Sequence, residues 1–155
     1  MLKRFPYFKP DSPDSPPPLC CSVSRKVRFE EIDPLNIMWH GRYPSYLEDA
    51  RIALGNRYKI GYMDFYRYKI ILPIKQMHID YLAPLTFGEE VNITARLHYS
   101  EAAKLNFSYE IHDSNNLLLT TAYTVQLLLQ AENNELCLAL PDFFVQFCEN
   151  WKKGL

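Results

Sequence analysis

The chain has 155 residues, enough for one domain and one core but not for two. A formal net charge of -1 gives no electrostatic reason to expect nucleic acid as a partner. No apolar run approaches the ~18–20 residues of a membrane span, and 48% hydrophobic with 23% charged residues is ordinary for a soluble globular protein.

Residues 1–22 hold six of the 11 prolines and end in Pro16-Pro17-Pro18. Such a stretch can neither form a helix nor pair in a sheet, so it is expected to be an extended, flexible arm ahead of one domain over 23–155. It lacks the apolar stretch of ~7–15 residues that a signal peptide needs. Leu2, Phe5, Tyr7 and Phe8 are apolar for a tail, which leaves open an arm packed over a partner subunit. Cys20, Cys21, Cys137 and Cys148 form no C-x-x-C pair and read as reduced thiols of a cytoplasmic protein. Cys148 falls on an apolar helix face. His40, His78, His98 and His112 are scattered one per element, so no metal site is expected.

Val23 to Ile32 reads as a first strand, with Val23, Val27 and Phe29 on one face. Asp33 to Arg42 is a loop with an acid at its start and a histidine near its end. Tyr43, Tyr46, Leu47, Ala50, Ala53, Leu54 and Tyr58 then recur at helical spacing and predict an amphipathic helix to about Tyr58. Pro44 suits its first turn, where a missing N–H has no partner to lose. Gly61 is expected to end it.

Tyr68 to Leu82 reads as a long strand whose apolar phase switches. Ile70, Leu72 and Ile74 are even, whereas Met77, Ile79 and Tyr81 are odd. A period of two changes phase only through an inserted residue, so a β-bulge is expected near Lys75-Gln76. Pro73 places this strand at a sheet edge or near its own start. Val91 to Tyr99 and Leu105 to Ile111 alternate regularly, and Leu117 to Leu129 is apolar on both faces in places, as a central strand is. Phe144, Phe147, Cys148 and Trp151 predict a C-terminal helix from Pro141-Asp142. One long helix with about five antiparallel strands is an α+β layer fold.

An acid placed just before a helix N-terminus is a chemical arrangement. The unpaired N–H groups of the first turn and the helix dipole can hold a developing oxyanion. The acid can act on the same substrate as nucleophile or base. Asp33 is the candidate acid and His40 the candidate orienting group, with the backbone from His40 through Gly41 to Tyr43 as donors. The bland readings are a turn-forming Asp-Pro, a packed histidine, Tyr43 in the core, and a Glu48–Arg51 surface pair.

Asp33-Pro34-x-x-Ile37-x-Trp39-His40, then Tyr43 and Glu48-Asp49-Ala50-Arg51, resembles the 4-hydroxybenzoyl-CoA thioesterase/YbgC-type hotdog family. Ile79 to Val91 is similar to that family's strand–Pro–turn–strand segment. The resemblance implies a hotdog fold whose active sites lie between subunits of a homodimer or homotetramer. It implies hydrolysis of an acyl thioester of CoA or of an acyl carrier protein, with no cofactor. Asp33 would attack the thioester or activate a water, His40 and Tyr43 would line the site, and Glu48 would be the second candidate acid. Two departures stand out. Asn36 replaces a common glycine, and the Ser100-Glu101-Ala102-Ala103-Lys104 turn keeps only Lys104 where some members cluster arginines on the nucleotide. Alternatives are a thioesterase serving a polyketide or fatty-acid-like pathway on a carrier protein, a hotdog hydratase, and a non-catalytic acyl-thioester-binding module.

Overall fold

The computed structural model describes residues 6–155. Strand β1 (Leu19–Lys26) leads through a 3-10 turn (Phe29–Glu31) and the Asp33 loop into a second 3-10 turn (His40–Arg42) and helix α1 (Tyr43–Tyr58). A short helix α2 (Tyr62–Tyr66) and a two-residue strand β2 (Ile70–Ile71) follow. Then come β3 (Ile74–Tyr81), β4 (Glu90–His98), β5 (Lys104–Asp113), β6 (Leu118–Leu127), β7 (Leu129–Gln130) and α3 (Asp142–Lys152). The main sheet is antiparallel in the order β1-β4-β5-β6-β3, and β2 pairs with β7. Among the described residues, no helix is long and apolar enough to cross a membrane.

Helix α1 forms where the periodicity places it. Tyr46, Leu47, Ala50 and Leu54 are fully buried against the sheet's inner face, which presents Ile93, Ala95, Tyr109, Ile111 and Ala122. Burial of each large side chain contributes ~1.5–3 kcal/mol before the cost of ordering it. Pro44 sits at the helix start as expected. Gly61 does not end the helix: Lys59 does, in a left-handed conformation (φ 57) that returns its N–H to Gly55 O. Gly61 instead opens α2, and its Cα presses on Gly55, where an added Cβ would lie at 2.8 Å.

The inferred bulge is present. β3 pairs with β6 with a register shift between Ile74 and Gln76, which flips the apolar phase at Lys75. Pro73 breaks the long strand into β2 and β3, and β3 is an edge strand. The first strand differs from expectation. It starts at Leu19, inside the stretch assigned to the arm, and ends at Lys26. Phe29 lies in the 3-10 turn and is exposed, because the Glu31 carboxylate reaches back to the Arg28 N–H and curls the chain.

The arm lies across the outer face of its own sheet. The Tyr7 hydroxyl donates to Asp80 Oδ2 (2.6 Å) and lies 2.5 Å from Thr121 Oγ1. Burial, then the Asp80 bond, pushes that phenol up to about 12. Phe8 meets the rings of His98 and Tyr123. Trp151 Nε1 of α3 donates to Pro17 O, and the Glu101 N–H donates to Asp11. Tyr7 and Phe8 therefore belong to the protein's own sheet cover, not to a free tail, while Leu2 and Phe5 lie outside the described residues.

Candidate active site

The Asp33 loop is closed by its own backbone. The Asp33 N–H donates to Ile37 O, and the Asn36 N–H to Asp33 O, both at 2.9 Å. Asn36 holds φ 64, the left-handed turn conformation that asparagine tolerates. Asp33 Oδ1 accepts the Leu35 N–H at 2.8 Å, so the turn-forming role is real. It occupies one carboxylate oxygen; among the described residues, Oδ2 has no hydrogen-bond donor. Two further bonds fix the loop's exit: Met38 N–H to Leu85 O (2.7 Å) and Trp39 N–H to Glu31 O (2.8 Å).

Asp33, His40 and Tyr43 line one cavity of about 320 Å³, with Leu35, Met38, Tyr81 and Pro84 among its other walls. The Tyr81 ring meets the Tyr43 ring edge-on at 4.7 Å, and its hydroxyl donates to His40 O at 3.1 Å. Tyr43 is almost fully buried, which pushes its phenol up, and packing is its main work. Among the described residues, the His40 and Gly41 N–H groups have no acceptor, as expected of the first positions of a helical turn, whereas the Arg42 N–H is spent on Trp39 O. Gly41 sits tightly under the Trp39 ring, which a Cβ there would strike. An acid and a histidine thus share one cavity at the helix start, and the backbone N–H groups of His40 and of adjacent Gly41 are unpaired. Chemically, this set can deliver an attack on a carbonyl and hold the resulting oxyanion.

The other expected site residues stand apart from this cavity. Glu48 is on the exposed face of α1, with its carboxylate 3.7 Å from Arg51. Lys104 begins β5 opposite Leu127, at the end of the sheet remote from Tyr81 and Thr120. Arg96 pairs with Glu110 at 3.0 Å on the outer face, away from the Asp33 loop.

Two features escaped sequence reasoning. The first is Glu31, which is 2% exposed and accepts from the Arg28 N–H (2.9 Å), the Tyr46 hydroxyl (2.6 Å) and Arg25 (2.9 Å). Burial raises its pKa, but these bonds and the Arg25 charge outweigh burial and hold the carboxyl below its usual range. The Arg25 guanidinium also stacks over the Tyr46 ring at 3.9 Å. The cluster ties β1, the Asp33 loop and α1 together. The second is a cavity of about 230 Å³ between α1 and the β5–β6 side of the sheet, lined by Arg51, Gly55, Tyr62, Leu72, Phe107 and Gln126 among others. It exists because α1 lies closest to β1 and β4.

A layered α+β fold with an acid-bearing loop at the start of its long helix defines a class, and comparison with known proteins gives the family. The family model of the thioesterase-like superfamily matches residues 27–147, and the chain belongs to that superfamily. By family it is a thioester hydrolase, and the expected hotdog thioesterase assignment is borne out. It is 25% identical over 114 residues to YneP of Bacillus subtilis (strain 168), a candidate acyl-CoA thioesterase, across 72% of this chain and 83% of that protein. It is 29% identical over 105 residues to a 1,4-dihydroxy-2-naphthoyl-CoA hydrolase of Synechocystis sp., across 68% of this chain and 65% of that protein. A DHNA-CoA thioesterase from Staphylococcus aureus shares the fold with a TM-score of 0.77 at 21% identity, over 86% of this chain and 89% of that one.

Proposed function

We propose that this chain hydrolyses an acyl-CoA thioester with Asp33 as nucleophile or general base and His40 beside it. The observation that carries the reading is the shared cavity at the helix start: Asp33 Oδ2 is left unengaged, and the His40 N–H, with that of Gly41 next to it in the chain, is free for an oxyanion. A thioester demands little more, because its carbonyl is already activated and thiolate leaves readily. CoA is the carrier because the YneP and 1,4-dihydroxy-2-naphthoyl-CoA relatives bear it in their names. The test is thiol release across short, long and aromatic acyl-CoAs. Binding without turnover of any of them would leave an acyl-binding module instead.

The working unit is a homodimer joined along β3. That strand is a sheet edge, and Tyr81, Leu82, Trp39 and Leu35 stand exposed around the Asp33 cavity. A bare edge beside an apolar patch is what a partner covers. Light scattering at assay concentration is expected to give a dimer's mass, and an active monomer would remove this reading.

Grip on the nucleotide half of CoA is expected to be weak. Arg96 is committed to Glu110, and the Ser100–Lys104 turn sets Glu101 beside Lys104. An acyl-pantetheine should therefore be cleaved within about tenfold of the matching acyl-CoA in kcat/KM, a gap of ~1.4 kcal/mol. A larger preference for CoA would mean that other cations, including those a partner brings, hold the phosphates.

A further inference from the structure

The cavity under Arg51 has no role in the chemistry at Asp33, yet it holds a buried charge. Arg51 is only 4% exposed. Its Nε donates to the Tyr62 hydroxyl at 3.0 Å and its Nη1 to the Tyr109 hydroxyl at 3.1 Å. Tyr109 is tied to Thr124 (2.8 Å), and Gln126 Nε2 donates to Tyr62 (3.0 Å) and to Leu72 O (2.8 Å). These partners are neutral. Among the described residues, Nη2 makes no hydrogen bond, and its nearest carboxylate is that of exposed Glu48 at 3.7 Å. Asp64, also on the cavity wall, accepts from the Gly61 N–H and lies 3.6 Å from Arg67. A guanidinium stays charged in any protein. Buried among phenols and an amide, and ion-paired only with exposed Glu48, it has hydrogen-bond donors to spare, which an entering carboxylate can take up.

The cavity's place relative to Asp33 follows from β3. Its Tyr81 end walls the Asp33 cavity, and its Ile74 end pairs with Gln126, which walls the Arg51 cavity. Two β3 edges related by a two-fold axis run antiparallel, so the Tyr81 end of one meets the Ile74 end of the other. Within one protomer the two cavities are separated along α1 by the stretch from Tyr43 to Arg51, about 12 Å at a rise of ~1.5 Å per residue.

We infer that the Arg51 cavity of one protomer receives the far end of the acyl group whose thioester is cleaved at Asp33 of the other, and that it selects acyl groups ending in a carboxylate. This inference rests on the hydrolase and dimer readings above. At about 230 Å³ the space suits one ring or a short chain, given that a cavity of ~150 Å³ already admits benzene.

The experiment compares matched thioesters of CoA with and without a terminal carboxylate: pentanoyl and pentanedioyl, octanoyl and octanedioyl, benzoyl and 4-carboxybenzoyl. In at least one pair, kcat/KM should favour the carboxylate by about tenfold or more. Arg51→Met should bring that ratio to about one. If Arg51→Met does not fold, Arg51→Lys keeps the charge without the fork and should lower the ratio severalfold. Co-expression of Arg51→Met with Asp33→Asn chains then tests the sharing between protomers. Mixed dimers hold one site with Asp33 from the first chain and Arg51 from the second, so the carboxylate preference should return. A mixture with the preference of Arg51→Met alone overturns the shared site. Equal hydrolysis of all pairs by the unaltered protein overturns the inference but not the hydrolase reading, and hydrolysis of none overturns both.

Discussion

Asp33→Asn is expected to lower kcat by ~10²–10⁴, the range for losing a positioned acid or base, while leaving the thermal midpoint nearly unchanged. The two consequences separate because the two carboxylate oxygens do different work. Oδ1 accepts the Leu35 N–H and shapes the turn. Asparagine keeps that acceptor, and the Asn36 and Ile37 backbone bonds do not involve the side chain. What it loses is the charge and the free Oδ2, the atom available to attack or to take a proton. Steady-state thiol release beside a melting curve reads both. Near-full activity in a folded Asp33→Asn protein would shift the acid's role to Glu48, the second candidate acid.

The second large effect concerns stability. Glu31→Ala is expected to cost ~3 kcal/mol or more, since removing one partner of a buried ion pair strands the other. Three donors lose their acceptor: the Arg28 N–H, the Tyr46 hydroxyl and Arg25. Tyr46 is fully buried and cannot turn to water, whereas Arg25 is 22% exposed and keeps Asp49, which places the cost at the lower end of the range. Total stability of ~5–15 kcal/mol makes this a large fraction. The midpoint of urea unfolding measures it. The pH dependence has a fixed sign. The folded carboxyl titrates below its unfolded value, so its contribution is full above the ordinary carboxylate range and vanishes as pH falls through the folded value. The gap between the unaltered protein and Glu31→Ala should therefore narrow on acidification. A gap that is small at neutral pH, or that widens in acid, would show that the cluster does not anchor the loop.

What the residues betray in advance is what local period controls. The bulge near Lys75-Gln76 followed from a switch of phase, an edge position or a strand start from Pro73, and α1 from a stripe of apolar side chains. Asp33 and His40 share a cavity for the same reason: a short loop and a helix start hold them in sequence-local geometry. The misses depend on tertiary contacts rather than on a local period. Arg51 does pair with Glu48 as its spacing suggests, at 3.7 Å, but the spacing hides that Tyr109, 58 residues away, draws its guanidinium inside. Glu31 falls in the stretch that reads as a strand, yet it folds under Tyr46, where Arg25 meets its carboxylate. The start of β1 was hidden because prolines dominate the composition around it. Leu19 and Cys20 enter the sheet through register with Leu97 and Arg96, which no local pattern announces.

The strap across the outer sheet also has a timing. Tyr7 is synthesised well ahead of its partner Thr121, which is 114 residues downstream. At ~5–20 residues per second, that partner follows about 6–23 s later. Trp151, which holds Pro17, comes later still, 134 residues on. Through that interval the outer face that Tyr7 and Phe8 cover is incomplete, because β6 supplies Thr121 and Tyr123. The arm is thus made well before the β6 and α3 residues that hold it, so it docks onto a sheet that forms without it.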